Sequence, residues 1–278
     1  MPVAGAPTPP GAAALTVPPS PAPTVPAAPG WLLTATGWTP APAGAPPTGA
    51  ARLWLLPGVP AGHACPEGWA RTLSPEEWTR SRRQARPDDQ QFSLICAGFR
   101  RAVLGQVLGL PPGELRWAAP PGAPGKPGLA PDQARRGGHD WHWNLAHAGR
   151  HVLLGVRDGR EIGVDLETDW PAYTWREVTP LVFSADERRQ LPGHPVARLW
   201  TAKEAYLKAC GQGFGVDPTA VSVRLNAQAI EVQAPAPGDD RSWWGRVLPP
   251  LPGSPGVTAA LVTESPAPAV WLQVVPLT

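Results

Sequence analysis

Residues 161–167 read EIGVDLE, and this segment carries the strongest signal for how the chain folds around its chemistry. It follows the apolar run Val152–Val156 and the dipeptide Asp158-Gly159, which is typical of a tight turn. The pattern predicts a β-hairpin whose return strand is residues 161–167. Because successive side chains of a strand point to opposite faces, Asp165 and Glu167 are expected on one face.

Two carboxylates this close repel each other unless a cation lies between them. Oxygen ligands suit a hard divalent ion such as Mg²⁺, which usually takes one or two carboxylates together with phosphate oxygens and water. The alternative is an ordinary strand with two solvated acids. Because exposed acids are common in proteins, the pair taken alone favours this alternative.

Residues 200–208 read WTAKEAYLK and lie in a predicted helix from about Val196 to Cys210, which ends at Gly211. Glu204 and Lys208 are four residues apart and therefore share a face of that helix. As an ordinary solvated pair they would contribute only about 0.3–0.5 kcal/mol. A third acid close to Asp165 and Glu167 favours a functional role over that alternative.

The segments upstream predict a strand, two helices and a connection. Arg52–Leu56 is the first strand, and Ser74-Pro75-Glu76-Glu77 carries a capping box for a helix that includes Arg80. A second helix, with apolar residues at three-to-four spacing, follows Pro87. Residues 111–140 form a Pro/Gly-rich connection that contains Gly125-Lys126-Pro127.

The segments downstream predict helices followed by strands. Ser184 and Glu187 form a second capping box ahead of the Val196–Cys210 helix. Strands are expected at residues 220–225, 229–232, 257–262 and 270–275. The predicted fold class is therefore α+β.

Composition excludes several classes of protein. The net charge of +2 gives no electrostatic basis for binding nucleic acid or a membrane surface, and no apolar run reaches transmembrane length. The three cysteines are too far apart in sequence to suggest a metal site or a disulfide framework, so a cytoplasmic protein is expected. Residues 1–51 carry no charge and are dominated by Ala, Pro, Gly and Thr, which predicts a disordered tail over residues 1–50.

Four motifs in one order resemble the surfactin-type phosphopantetheinyl transferase family. They are Gly125-Lys126-Pro127, Asn-Leu-x-His-x-Gly at residues 144–149, Ile-Gly-Val-Asp-Leu-Glu at 162–167 and Trp-x-x-Lys-Glu-Ala-x-x-Lys at 200–208. The resemblance runs from about Arg52 to the C-terminus. It implies two similar α+β halves related by a pseudo-twofold, at residues 51–156 and 157–278, with coenzyme A bound between them.

The resemblance also implies an activity: transfer of phosphopantetheine from coenzyme A to a serine of an acyl or peptidyl carrier protein, by a chain expected to be a monomer. Glu204, or a magnesium-bound water that it orients, is the candidate base, and Lys208 would stabilise the charge on the leaving 3′,5′-ADP. The implied magnesium ligands are Asp165, Glu167 and Glu204. The implied coenzyme A contacts are Arg80, Ser93, Gly125, Lys126, Pro127, Ala146, His147, Asp165 and Lys208.

The sequence departs from the family pattern at the phosphate contacts. Ala146 and Ala148 replace serines, Phe92 stands where an arginine is common, and Glu77 occupies a position that is often basic. Three alternatives stay open: another Mg²⁺-dependent enzyme of phosphoryl groups, a non-catalytic relative that binds coenzyme A or a carrier protein, and a tryptophan-rich scaffold that uses its proline-rich tail.

Overall fold

The computed structural model describes residues 25, 30–42, 45–118, 128–168, 172–267 and 269–277, without the side chains of residues 172–174 and 214. Its α-helices are α1 (Glu67–Ala70), α2 (Pro75–Arg82), α3 (Pro87–Leu108), α4 (Pro131–Ala134), α5 (Ala172–Val182), α6 (Ala185–Gln190) and α7 (Val196–Cys210). Its strands are β1 (Gly30–Thr34), β2 (Gly37–Pro40), β3 (Ala51–Leu56), β4 (Trp117–Ala118), β5 (Gly128–Leu129), β6 (Trp141–Ala148), β7 (His151–Asp158), β8 (Ile162–Thr168), β9 (Ser222–Asn226), β10 (Ala229–Ala234), β11 (Trp243–Val247), β12 (Val257–Glu264) and β13 (Val270–Val274). This mixture of helices and strands agrees with the predicted α+β class.

The first sheet has the strand order β2-β1-β13-β3-β7-β6. β13 runs parallel to β3, and the other neighbouring strands are antiparallel. Helix α3 covers one face, where Phe99 and Val103 pack in one apolar cluster with Trp54 and Leu154. The three-to-four spacing in α3 and the two-residue period in the strands supply the apolar faces that make this packing possible.

The second sheet has the strand order β8-β12-β11-β10-β9, with antiparallel pairs throughout. Helix α7 covers one of its faces, and the apolar stripe of that helix, which includes Leu199 and Tyr206, is buried. Gly163 of β8 lies directly under α7: a Cβ there would be 2.1 Å from the carbonyl oxygen of Ala205 and 2.4 Å from the amide nitrogen of Ala209. Only glycine permits this approach.

The two sheets pack face to face. Leu53 and Leu153 of the first sheet share a buried cluster with Val164 and Leu261 of the second. The layers therefore run helix, sheet, sheet, helix. Apolar residues of β8 face the first sheet, so its acidic residues face α7, as the alternation predicted.

The predicted hairpin between residues 152–156 and 161–167 is wrong. β7 is paired on both edges, with β3 and β6, while β8 pairs with β12 in the other sheet. β8 instead crosses the face of β7: a Cβ at Gly155 would lie 2.8 Å from Cγ1 of Val164. The chain bends at residues 159–160, after Asp158 at the end of β7, but the strands on either side belong to different layers.

The two predicted capping boxes are confirmed at α2 and α6. Each glutamate also binds a buried cation on the following long helix. Nε of Arg101 donates to Glu77 at 2.6 Å, and Nζ of Lys203 donates to Glu187 at 2.5 Å. Both halves of the chain therefore fasten a short helix to a long one with the same kind of buried ion pair.

The structure differs from the expected tail over part of residues 1–50. β1 and β2 form a hairpin that extends the first sheet beyond β13. Trp31, Leu33 and Trp38 pack on the core between the sheets, which supplies the apolar burial that ordering requires. Residues 1–24 lie outside the described residues. Across the described part of the chain, no helix has the length and apolar character needed to cross a membrane.

Candidate active site

The candidate active site lies where β8 meets α7. Asp165 points from β8 toward the helix and is buried, with 4% of its surface exposed. Nζ of Lys208 donates to Oδ1 of Asp165 at 2.6 Å. Lys208 keeps 28% of its side-chain surface exposed, so its charge is available to a ligand as well as to the carboxylate.

Two buried carboxylate oxygens at this crossing have no hydrogen-bond partner among the residues that the structure describes: Oδ2 of Asp165 and Oε1 of Glu204. Burial raises the pKa of Asp165 above its ordinary value, against the opposing charge of Lys208. Burial, with a smaller contribution from the negative charge of Asp165, raises the pKa of Glu204 to about 7. Unpaired buried acceptors are costly, so this pair has a local deficit of positive charge that a bound cation would fill.

Glu167, the third predicted ligand, is oriented by α7. Nε1 of Trp200 donates to its Oε1 at 3.2 Å. Among the residues that the structure describes, no group of three or more His, Cys, Asp or Glu side chains is placed to hold a metal ion. The three-carboxylate magnesium site therefore stays a prediction, although all three acids lie at the β8–α7 contact.

His147 lies on the first sheet, at the side of a cavity of about 380 Å³. Ser93 and Gly149 line the same cavity, and the edge of the His147 ring meets the Phe92 ring with 5.6 Å between centroids. Desolvation, together with the charge of Lys208, lowers the pKa of His147. Gly149 also brings this cavity close to β8, because a Cβ at Gly149 would lie 2.3 Å from Cγ2 of Thr168.

The other predicted contacts are spread more widely. Arg80 is exposed and lines a second cavity, of about 650 Å³, which also contains Arg100, Arg116 and Trp117. The side chain of Ala146 is buried between the sheets, on the opposite face of β6 from His147, so only its backbone is left for a ligand. Gly125, Lys126 and Pro127 lie outside the described residues.

Asn144 holds the two halves of the site in register, a role that the sequence did not assign. Its Oδ1 accepts a hydrogen bond from the backbone N–H of Val164 at 2.9 Å. This bond joins β6, which carries His147, to β8, which carries Asp165. The available signal was an asparagine between the apolar residues Trp143 and Leu145, since buried polar groups are normally hydrogen-bonded.

Comparison with known proteins identifies the family. A model of the 4'-phosphopantetheinyl transferase superfamily matches residues 161–254. A protein of Synechocystis sp. that is named as a 4'-phosphopantetheinyl transferase is 32% identical over 199 residues, which are 69% of this chain and 77% of the relative. HetI of Nostoc sp. is 33% identical over 152 residues (52% of this chain, 62% of HetI), and Sfp of Bacillus subtilis is 27% identical over 171 residues (59% and 71%). Both are named 4'-phosphopantetheinyl transferases.

The matched segment 161–254 contains β8 and α7, and with them Asp165, Glu204 and Lys208. The prediction of a phosphopantetheinyl transferase, made from the order of four short motifs, is confirmed. The chain is an enzyme of the 4'-phosphopantetheinyl transferase superfamily.

Proposed function

We propose that the β8–α7 crossing is the catalytic centre at which this enzyme transfers phosphopantetheine from coenzyme A to a serine of a carrier protein. The observation that carries the proposal is the pair of buried, unpartnered oxygens of Asp165 and Glu204 beside the ammonium group of Lys208. A pyrophosphate with its counter-ion matches this arrangement of charges.

Asp165 and Glu204 fit a magnesium ion, with Glu167 as the third ligand. Their oxygens are hard donors, and Mg²⁺ commonly takes only one or two carboxylates, leaving positions for phosphate oxygens and water. When bound, Mg²⁺ would neutralise charge on the pyrophosphate. The hydrogen bond from Trp200 orients the Glu167 carboxylate.

Glu204 is suited to act as the general base. With no cation bound, its pKa of about 7 leaves it partly ionised at neutral pH, so Glu204, or a water that it orients, can take up a proton. In the proposed reaction it takes the proton of the serine hydroxyl, whose oxygen then bonds to the β-phosphorus. The bond from that phosphorus to the bridging oxygen breaks, and 3′,5′-ADP leaves. Lys208 stabilises the departing charge.

The nucleotide end of coenzyme A is proposed to occupy the cavity beside His147, with Ser93 near its 3′-phosphate. The cavity that His147 and Ser93 share supports this placement, as does the close approach of Gly149 to Thr168 of β8. Arg80 and Gly125-Lys126-Pro127 are kept as further predicted contacts, the first supported by the arginines around it.

We also propose that the halves 51–156 and 157–278 are related by a pseudo-twofold, with the ligand between them. The matched ion pairs Glu77–Arg101 and Glu187–Lys203 support this. The division needs one amendment, because β13 lies in the sheet of the first half. A monomer is retained as the expected state, which size-exclusion chromatography tests.

The test of the activity is mass spectrometry of acyl and peptidyl carrier proteins incubated with the enzyme, coenzyme A and Mg²⁺. One added phosphopantetheine per carrier is expected, with 3′,5′-ADP released in equal amount. A carrier whose serine is replaced by alanine should gain nothing. Release of 3′,5′-ADP without any carrier would instead identify a hydrolase of phosphoryl groups, and binding without release would identify a non-catalytic relative.

A further inference from the structure

We propose that Arg150 is a further substrate-binding residue, whose guanidinium group contacts the 3′-phosphate of coenzyme A in the cavity beside His147. This inference rests on the proposed function of that cavity. It assigns a positive side chain to a site where the sequence departs from the family pattern.

Arg150 is anchored in an unusual backbone conformation. Gly149 and Arg150 form the turn between β6 and β7 with φ of 50° and 67°, a region that side chains other than glycine rarely adopt. Its Nε donates to the carbonyl of Val59 at 2.8 Å and its Nη2 to that of Pro60 at 3.0 Å, while its Nη1 donates to Asp88 at 2.8 Å. These bonds fix the guanidinium group although it belongs to a surface turn.

The anchored guanidinium lies over the Phe92 ring, 4.9 Å from its centroid. Phe92 in turn meets the ring of His147, and all three residues line the same cavity with Ser93. The resemblance to the transferase family implies an arginine at position 92, where this chain has phenylalanine. The stacking places a positive charge above this position, so the charge missing from α3 is supplied from the β6–β7 turn.

The guanidinium group retains the capacity to bind an anion. Arginine has five N–H groups, and the three bonds above leave two without a bond to any described residue. A planar fork of donors matches two oxygens of a phosphate. Among the described residues that line this cavity, Arg150 is the one arginine or lysine, and Asp89 is the one acid. The guanidinium group therefore supplies the positive charge that a phosphate would meet there.

The test compares coenzyme A with dephospho-coenzyme A, which lacks the 3′-phosphate. In Arg150→Gln, the KM for coenzyme A should rise on the order of ten- to a hundredfold, since hydrogen bonds to charged groups have about that effect on affinity. The KM for dephospho-coenzyme A and both kcat values should stay unchanged. Arg160→Gln, at an exposed position in the next turn, is the matched control and should behave as wild type.

Adding Phe92→Arg to Arg150→Gln should restore the preference for coenzyme A. In Arg150→Gln alone, an equal rise in the KM for coenzyme A and for dephospho-coenzyme A would show that Arg150 only supports the fold. No rise in either KM would show that Arg150 does not touch the phosphate. Either result overturns the proposal. Failure of the wild type to modify any carrier would count against the proposed function instead.

A labelling experiment on the wild-type chain makes the test independent of how the variants fold. Phenylglyoxal modifies accessible arginines, and peptide mass spectrometry reports each one. Binding of 3′,5′-ADP should protect Arg150, whereas 5′-AMP should not. Equal modification of Arg150 with both nucleotides would also overturn the proposal.

Discussion

Replacing Glu204 by glutamine should stabilise the metal-free protein at pH 8 while abolishing transfer. Burial raises the pKa of Glu204 to about 7, so above that pH the native state must hold a buried carboxylate with one unpartnered oxygen. Glutamine has nearly the same shape and no charge. The variant therefore removes an unfavourable charge from the fold together with the proposed base.

The magnitude follows from the pKa. A carboxyl group whose pKa is raised on folding binds its proton more tightly in the native state, so the free energy of unfolding falls as pH rises from about 4.5 to about 7. At 1.36 kcal/mol per pH unit this amounts to about 3 kcal/mol. For a chain of this size it corresponds to roughly 6–12 °C in Tm. Below a pH of about 4.5, the wild type and Glu204→Gln should have the same free energy of unfolding.

Urea and thermal unfolding in a chelator, at pH 5 and pH 8, measure the difference. Glu231→Gln, on the exposed side of β10, is the control and should change stability by less than about 0.5 kcal/mol. Mg²⁺ should then stabilise the wild type more than Glu204→Gln. The reasoning is refuted if Glu204→Gln shows the same dependence on pH as the wild type, or is less stable at pH 8.

Three further predictions concern the scaffold around the site. Lys203→Met should lower the free energy of unfolding by about 3–5 kcal/mol in urea titrations, because it leaves the buried Glu187 carboxylate without its cation; adding Glu187→Gln should recover part of the loss. Gly163→Ala should separate β8 from α7 and abolish carrier modification, because the new Cβ would lie 2.1 Å from a helix carbonyl, whereas Gly193→Ala, with open space around it, should not. His151 accepts a backbone N–H at Nδ1, and burial lowers its pKa. Because the unfolded chain then binds protons more readily, stability should fall as pH drops below about 6.5, and His151→Asn should weaken that fall in thermal unfolding.

Local sequence signals predicted where helices begin well, but they predicted poorly which strands pair with each other. The capping boxes at Ser74 and Ser184 depend on residues three positions apart, so the sequence contains all that they require. The hairpin prediction failed because strand pairing is a property of the sheet, and both edges of β7 were already occupied. Gly155 was the overlooked signal, since an interior glycine in a strand often marks the close approach of another segment.

The N-terminal region shows the same limit. Its composition predicted disorder, yet β1 has a partner more than 200 residues away, in β13. Trp31 and Trp38 supply apolar area that only the assembled sheets can bury. Composition describes the segment alone and carries no information about a partner at the other end of the chain.

The order of four motifs in the sequence, through its resemblance to a known family, determined the reaction class. The sequence also predicted the acids of the proposed site, because a two-residue period fixes which side chains share a strand face and a four-residue spacing does so for a helix. Only the tertiary structure decided what those side chains meet. The packing of α7 on Gly163 buries Asp165 and Glu204, leaves an oxygen of each without a partner among the described residues and brings Lys208 into contact with Asp165. Burial and long-range contact depend on the whole fold, and desolvation is what turns two ordinary carboxylates into a site with a raised pKa and an affinity for positive charge.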